Sequence, residues 1–293
     1  MNKKSNLLVN LIFVLFCLCC IIPFVMLISI SFSNEMEILR SGYGVLPKKF
    51  DLTAYKYIFE NPSMIVDGYI VTILYASVGT VVSVILMSLA AYSLSSNGLR
   101  GKKFYTYYIF FTMLFSGGLV PSYIVNTQLL GLKDSMFVYL FIGLINPWHI
   151  FLMRTFFKGL PDGLTEAAHI DGASEFKIYI SIVMPLSKPV LATVALFGVL
   201  TRWNDWNTSL LYIDNEKLYT LQYLLQRILM DVESLQENMT KMPSSVYESQ
   251  LNNIPGETIR MAMAVLAAGP MVIAFPFFQK YFTRGLTIGA IKG

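Results

Sequence analysis

The sequence predicts an all-α membrane protein with six transmembrane helices. Of its 293 residues, 55% are hydrophobic and only 14% are charged, where an average soluble domain carries about 25% charged residues. Six apolar runs approach or exceed the roughly 20 residues that a helix needs to cross a bilayer. No series of alternating segments of about ten residues, the mark of a membrane barrel, accompanies them. Lipid leaves backbone polar groups no other partner, so the runs are helices.

The runs cover 7–32, 69–94, 104–125, 135–153, 190–201 with its flanks, and 261–281. The first is too long for a signal-peptide core and has no small-residue cleavage site, so it reads as a retained span. Cys17, Cys19 and Cys20 lie within it with no His or carboxylate beside them, which points to apolar packing rather than a metal. The fifth run is the shortest. Arg202 ends its uncharged part, so it reaches full length only by starting near Met184 and passing Trp203.

Lys and Arg in the short flanks set the orientation. Lys3, Lys4, Arg100, Lys102, Lys103, Arg154, Lys158, Lys188, Lys280, Arg284 and Lys292 fall on one side, with Lys48, Lys49 and Lys133 opposite. Both termini are therefore expected in the cytoplasm of a multi-pass cell-membrane protein. The chain divides into an N-terminal span with an extracellular segment (1–68), a core (69–284) and a cytoplasmic tail (285–293). The core carries a cytoplasmic insert (158–189) and an extracellular loop (214–257). "LTAYKYIFE" predicts a short helix in the first extracellular segment. "LYTLQYLLQRILMDVESL" predicts an amphipathic helix in the second, followed by a polar loop.

What is absent narrows function. No ionisable residue is expected buried in mid-span, which argues against a proton relay or an ion-coupled carrier. His149, expected close to the cytoplasmic end of its span, reads as structural. "GLRGKK" at Gly98–Lys103 lacks the phosphate-cradling G-x-x-x-x-G-K-[ST] spacing and reads as a tight turn. With two histidines in the chain, and no nucleophile–base or metal constellation, no enzyme activity and no bound cofactor are expected. The net charge of +4 comes with no basic, aromatic-interleaved patch for nucleic acid. The sequence is that of a membrane conduit, and its energy must come from a partner.

The insert "LPDGLTEAAHIDGASEFKIYISIVMPLSKP" holds six charged residues and three prolines between two apolar runs. It reads as two short helices. Pro161 suits the first turn of one. "DG" at Asp171–Gly172 breaks it, and Asp171 is placed to cap the next. Ala173–Val183 forms the second helix, which Pro185 and Pro189 end or kink. A connection needs only a few residues, so about 30 ordered ones suit a docking element as well as a plain elbow. Ala167, Ala168 and Ala173 keep the corner slim, and Glu166 is placed to accept hydrogen bonds.

The spacing E-A-A-x-x-D-G-A followed by P-L-x-x-P, here Glu166-Ala167-Ala168, Asp171-Gly172-Ala173, Pro185-Leu186 and Pro189, resembles the cytoplasmic motif of permease subunits of bacterial ABC importers. Met184 stands where that family usually has Leu, a volume-conserving change. "NPWHIFLMRTFFKGLP", "RWNDWNTSLLYI", "FPFFQKYFTRGLTIGAIKG" and "LTAYKYIF" are similar to the carbohydrate branch, in its oligosaccharide or polysaccharide-fragment subgroup. The resemblance implies a type I importer fold and a second homologous permease subunit. It also implies two ATPase subunits or domains that use ATP and Mg, and an extracellular solute-binding protein. It implies that Glu166, Ala167, Ala168, Asp171, Gly172, Ala173 and Pro185 couple to the ATPase. The tail "RGLTIGAIKG" would lie along the ATPase pair or simply fray.

Trp203, Asn204, Asp205 and Trp206 combine aromatic faces with amide and carboxylate groups, which sugars favour. Tryptophan also marks membrane interfaces, so both readings stand. The 214–257 loop would meet the binding protein or cap the pore. The same architecture importing a non-sugar solute, or an independent channel or carrier, are the alternatives.

Overall fold

The computed structural model describes residues 3–60, 62–96, 98–240 and 256–289. Among them there is no β-strand, only an isolated bridge between Ser33 and Phe50. The helices in chain order are α1 (Lys3–Ser31), α2 (Glu35–Ser41), α3 (Thr53–Ile58), α4 (Pro62–Ser95), α5 (Lys102–Leu114), α6 (Leu119–Ile124), α7 (Phe137–Phe141) and α8 (Pro147–Lys158). They continue with α9 (Asp162–Ile170), α10 (Glu175–Ile178), α11 (Met184–Leu186), α12 (Lys188–Trp203), α13 (Asn207–Tyr212), α14 (Leu221–Thr240) and α15 (Gly256–Gly289). The short helix expected at "LTAYKYIFE" is α3, and the amphipathic helix expected within "LYTLQYLLQRILMDVESL" is α14. Of the polar loop expected after α14, residues 241–255 lie outside the described residues, as do 290–293 of the tail.

Three helices are long and apolar enough to cross a membrane unaided: Val9–Ser31, Pro62–Ser95 and Gly256–Pro276. Two further stretches are long and apolar enough only as bent helix pairs. Lys102–Leu114 meets Leu119–Leu129 at 111°, and Glu175–Leu186 meets Lys188–Trp203 at 81°. The run 135–153, expected to be one helix, is α7 and α8 separated by residues 142–146. Gly143 takes a φ of +67°, and Asn146 starts α8 afresh. Its Oδ1 accepts from the N–H groups of Trp148 and His149 at 3.0 and 3.4 Å. Hydropathy shows none of these breaks, because the breaking residues are few.

The described chain forms two compact units. One comprises residues up to Val66 together with Leu224–Met271. Here Asn34 caps α2 and donates to Asp51 Oδ2 at 2.7 Å. Asp51 in turn accepts from the N–H and hydroxyl of Thr53 at 2.9 and 2.6 Å, opening α3. Burial would raise the Asp51 carboxyl, but these hydrogen bonds outweigh it and hold it below the usual range. Phe32 stacks between Phe50 and Tyr55. Glu35 is buried at 6% exposure. Its oxygens accept from the N–H groups of Glu257 and Thr258, both at 2.9 Å, and from Thr258 Oγ1 at 2.8 Å. A carboxylate is thus seated on the positive end of α15, the 34-residue last helix.

The other unit comprises Asp67–Tyr223 and the chain from Val272 onward. Its α4 buries a stripe, Thr72, Ala76, Thr80, Ser83, Met87, Ala91 and Leu94, at spacings of three and four. Ile70, Ile73, Val78, Val81 and Ile85 face outward. Hydroxyls inside and branched aliphatics outside are the arrangement of a helix bathed in lipid. An apolar core of Met87, Ala91, Leu94, Ile150, Met153, Phe157, Ile178, Val183, Val190 and Val194 joins α4, α8, α10 and α12. Cys17, Cys19 and Cys20 on α1 are exposed free thiols.

Replacing Glu35 with Ala strands two helix-terminal N–H groups, the Thr258 one buried and the Glu257 one partly so, and a buried unsatisfied group costs about 1–3 kcal/mol. Glu35→Ala should lower the melting midpoint of the detergent-solubilised protein by several degrees, with Glu35→Gln in between. An unchanged midpoint for Glu35→Ala would show that the cap carries no stability.

Candidate functional site

The insert folds as two short helical pieces, as its turn signals predict, with two differences in detail. Pro161 is the cap of α9, not a residue of its first turn, and the cap of α10 is Ser174, not Asp171. Ser174 Oγ accepts from the Lys177 N–H at 3.4 Å. Asp171 closes α9 instead. The corner is a Schellman turn. The Gly172 N–H bonds the His169 carbonyl at 3.0 Å and the Ala173 N–H bonds the Ala168 carbonyl at 2.9 Å. This closure needs Gly172 at φ +74°. A Cβ there would meet nothing within 4 Å, so the demand for glycine comes from the backbone and not from crowding.

α9 buries none of its residues. Glu166, Ala167, Asp171 and Gly172 are exposed, and Ile170 is 86% exposed. Only the small side of the corner touches the body, where half-buried Ala168 and Ala173 pack on the apolar core. Pro185 lies in α11 after a π-helical turn, Tyr179–Val183. A proline ring clashes with the carbonyl four residues back, and a widened turn relieves the clash. The chain then bends at Ser187, and Pro189 enters the first turn of α12. A cavity of about 580 Å³ lies between α9 and the ends of α4 and α8.

The second group of predicted residues falls at the far end of α12. Trp203 is buried at 4% exposure, Asn204 is exposed and Trp206 is 38% exposed. Asp205 organises its surroundings. It accepts from Tyr75 Oη at 2.9 Å, from the Thr208 N–H at 3.0 Å and from Thr208 Oγ1 at 2.6 Å. Thr220 Oγ1 donates to its carbonyl at 3.0 Å. Of the four, Asn204 and Trp206 present the most surface.

Arg202 opens the "RWNDWN" run but is not among the predicted site residues. The sequence reads it as the residue that shortens the fifth run, and the expectation that no ionisable residue is buried in a span fails here. It is 5% exposed and buried against the middle of α4. Its guanidinium donates to Ser83 Oγ, to the Gly143 carbonyl at 3.2 Å and to the Gly198 carbonyl at 3.3 Å. Two glycines make room for it. A Cβ on Gly79 would stand 2.7 Å from Arg202 Nε, and one on Gly198 3.2 Å from its NH1. His149 belongs to the first turn of α8, at the opposite end from the insert, and lines a cavity of about 50 Å³ with Arg202. Ligand clefts run to about 300–1,000 Å³, so this space does not take a sugar ring. Arg202 is a brace across α4, α12 and the α7–α8 break. Among the described residues no group of three His, Cys, Asp or Glu is placed to hold a metal ion.

The fold is that of a helical membrane protein with an exposed, polar helical corner. The chain belongs to the family of binding-protein-dependent transport system inner membrane components, whose model matches residues 83–288. It is 35% identical over 292 residues to the polygalacturonan/rhamnogalacturonan transport system permease protein YtcP of Bacillus subtilis (strain 168), covering 100% of this chain and 99% of that protein. It is 35% identical over 274 residues to Protein LplC of the same organism, covering 93% and 90%. Among solved structures it resembles a chain of a bacterial ABC transporter involved in the import of the acidic polysaccharide alginate. The TM-score is 0.79 at 30% identity, covering 96% of this chain and 99% of that one.

Lysine matches the charge of Arg202 but not its planar fork. Arg202→Lys should lower the melting midpoint measurably, because Ser83, Gly143 and Gly198 cannot all be reached. Gly79→Val should do the same by pushing the guanidinium aside. A wild-type midpoint in both variants would show that the brace does not hold the fold.

Proposed function

We propose that this chain is the transmembrane subunit of an ATP-driven importer that moves oligosaccharides across the cytoplasmic membrane. The full-length similarity to polysaccharide-fragment permeases supports the substrate class. The observation that carries the mechanism is the exposed α9–Gly172 corner, read here as a docking element. In this reading the chain is non-catalytic. Two ATPase subunits or domains, using ATP and Mg, grip the corner at Glu166, Ala167, Asp171 and Gly172, Ala168 and Ala173 couple by seating it on the core, and Pro185 relays the bend into α12. A second homologous permease completes the pathway, and an extracellular solute-binding protein delivers the sugar. Both termini and the insert lie in the cytoplasm. The chain crosses the bilayer six times, with the two bent pairs and α7–α8 each counted as one crossing. Asn204 and Trp206 are its candidate sugar contacts, with Trp203 and Asp205 setting their position.

The rigid corner gives the test. Forcing a β-branched residue to positive φ costs upward of about 1–2 kcal/mol, and each 1.4 kcal/mol is tenfold in binding. Gly172→Val should therefore insert and purify normally while the co-purifying ATPase falls about tenfold or more. Glu166→Lys should do the same by reversing charge on the contact face. Normal ATPase recovery and sugar uptake in both variants would contradict the assignment.

A further inference from the structure

We propose that Glu175 is a positioning residue, a strut that carries movement of α9 into α4. The proposal rests on the reading of α9 as the ATPase-docking helix. With no buried residue and a cavity of about 580 Å³ beside it, α9 has room to shift against the body. Its apolar tie is light, the Ala168 methyl with Leu160 just before it. Among the described residues, one side-chain polar contact joins α9 to another element. His169 Nε2 lies 3.5 Å from Glu175 Oε1. The other carboxylate oxygen, Glu175 Oε2, accepts from Tyr92 Oη at 2.6 Å. One carboxylate thus touches the docking helix with one oxygen and the end of α4 with the other.

The far side of this strut is firmly set. The Tyr92 ring packs on Tyr179 at 5.4 Å, and the Tyr179 hydroxyl bonds Ser88 Oγ at 2.6 Å. Ser174 fixes the first turn of α10, from which Glu175 projects. Further along α4, Ser83 holds Arg202 and Tyr75 holds Asp205. Movement of α4 therefore reaches the end of α12 through side chains that are already bonded. Glu175 itself is more than half exposed, and such contacts add little to folding. The apolar core, not this pair, holds α10 against α4. Loss of the strut should therefore leave the fold and the docking face intact and slacken the transmission between them.

The test uses the complete importer in proteoliposomes, with Glu175→Ala at one end of the contact and Tyr92→Phe at the other. Sugar taken up per ATP hydrolysed, ATPase recovered on purification and the melting midpoint are measured together. Both variants should keep wild-type ATPase recovery and a near-wild-type midpoint, while uptake per ATP falls about tenfold, within the range by which such networks modulate coupling. The double variant should be no worse than either single one, because both remove the same bond. Wild-type uptake per ATP in both variants, or additive losses in the double variant, would overturn the strut. Loss of the ATPase from either variant would also overturn it, by placing Glu175 in the docking face. A wild-type chain that binds no ATPase would overturn the reading of α9, and the strut with it.

Discussion

Hydrocarbon offers no hydrogen bonds, and the arrangement of this chain follows from that constraint. Thr72, Ser83 and Ser88 on α4 turn inward and find partners there, on the Leu221 N–H, Arg202 and Tyr179. Aliphatic side chains turn outward. The same constraint makes Arg202 possible only because two glycines let it reach three oxygen acceptors. A buried cation without such acceptors would be costly, and with them it ties together helices that lipid alone would not press against each other.

The insert obeys the opposite rule. α9 gains nothing from burial and is held by a glycine corner, two alanine methyls and a half-exposed contact between His169 and Glu175. An element so lightly fixed suits a contact that another protein completes. The body it joins is fixed by apolar packing from Met87 to Val194, so movement imposed at the corner has a stiff target. Pro185, the π-helical turn before it and the bend at Ser187 place a jointed segment between corner and span.

Much of this was legible in the sequence, for identifiable reasons. The apolar runs at 7–32 and 69–94 exceed any soluble helix core, and α1 and α4 are long helices there. The motif around Glu166 and Gly172 carries its own turn chemistry, and the Schellman corner follows from it. Less legible was the break inside 135–153, where Gly143 and Asn146 interrupt a run that hydropathy averages over. Asp171 and Ser174 are both good caps, and only the geometry of the corner decides between them. Arg202 looked like the end of a span because a charge in an apolar run reads as a boundary. Its acceptors lie 119, 59 and 4 residues away in sequence, and no local pattern announces the first two. Glu175 and Tyr92 were missed for the same reason, since 83 residues separate them.

The central claim is that the exposed face of α9 is covered by an ATPase. Ile170, 86% exposed in the isolated chain, reports on this directly. With Cys17, Cys19 and Cys20 replaced by Ala, Ile170→Cys supplies a single thiol for a membrane-impermeant maleimide applied to inside-out vesicles. The account predicts rapid labelling of the permease alone and strong protection once the ATPase is bound. Equal labelling with and without the ATPase would contradict it.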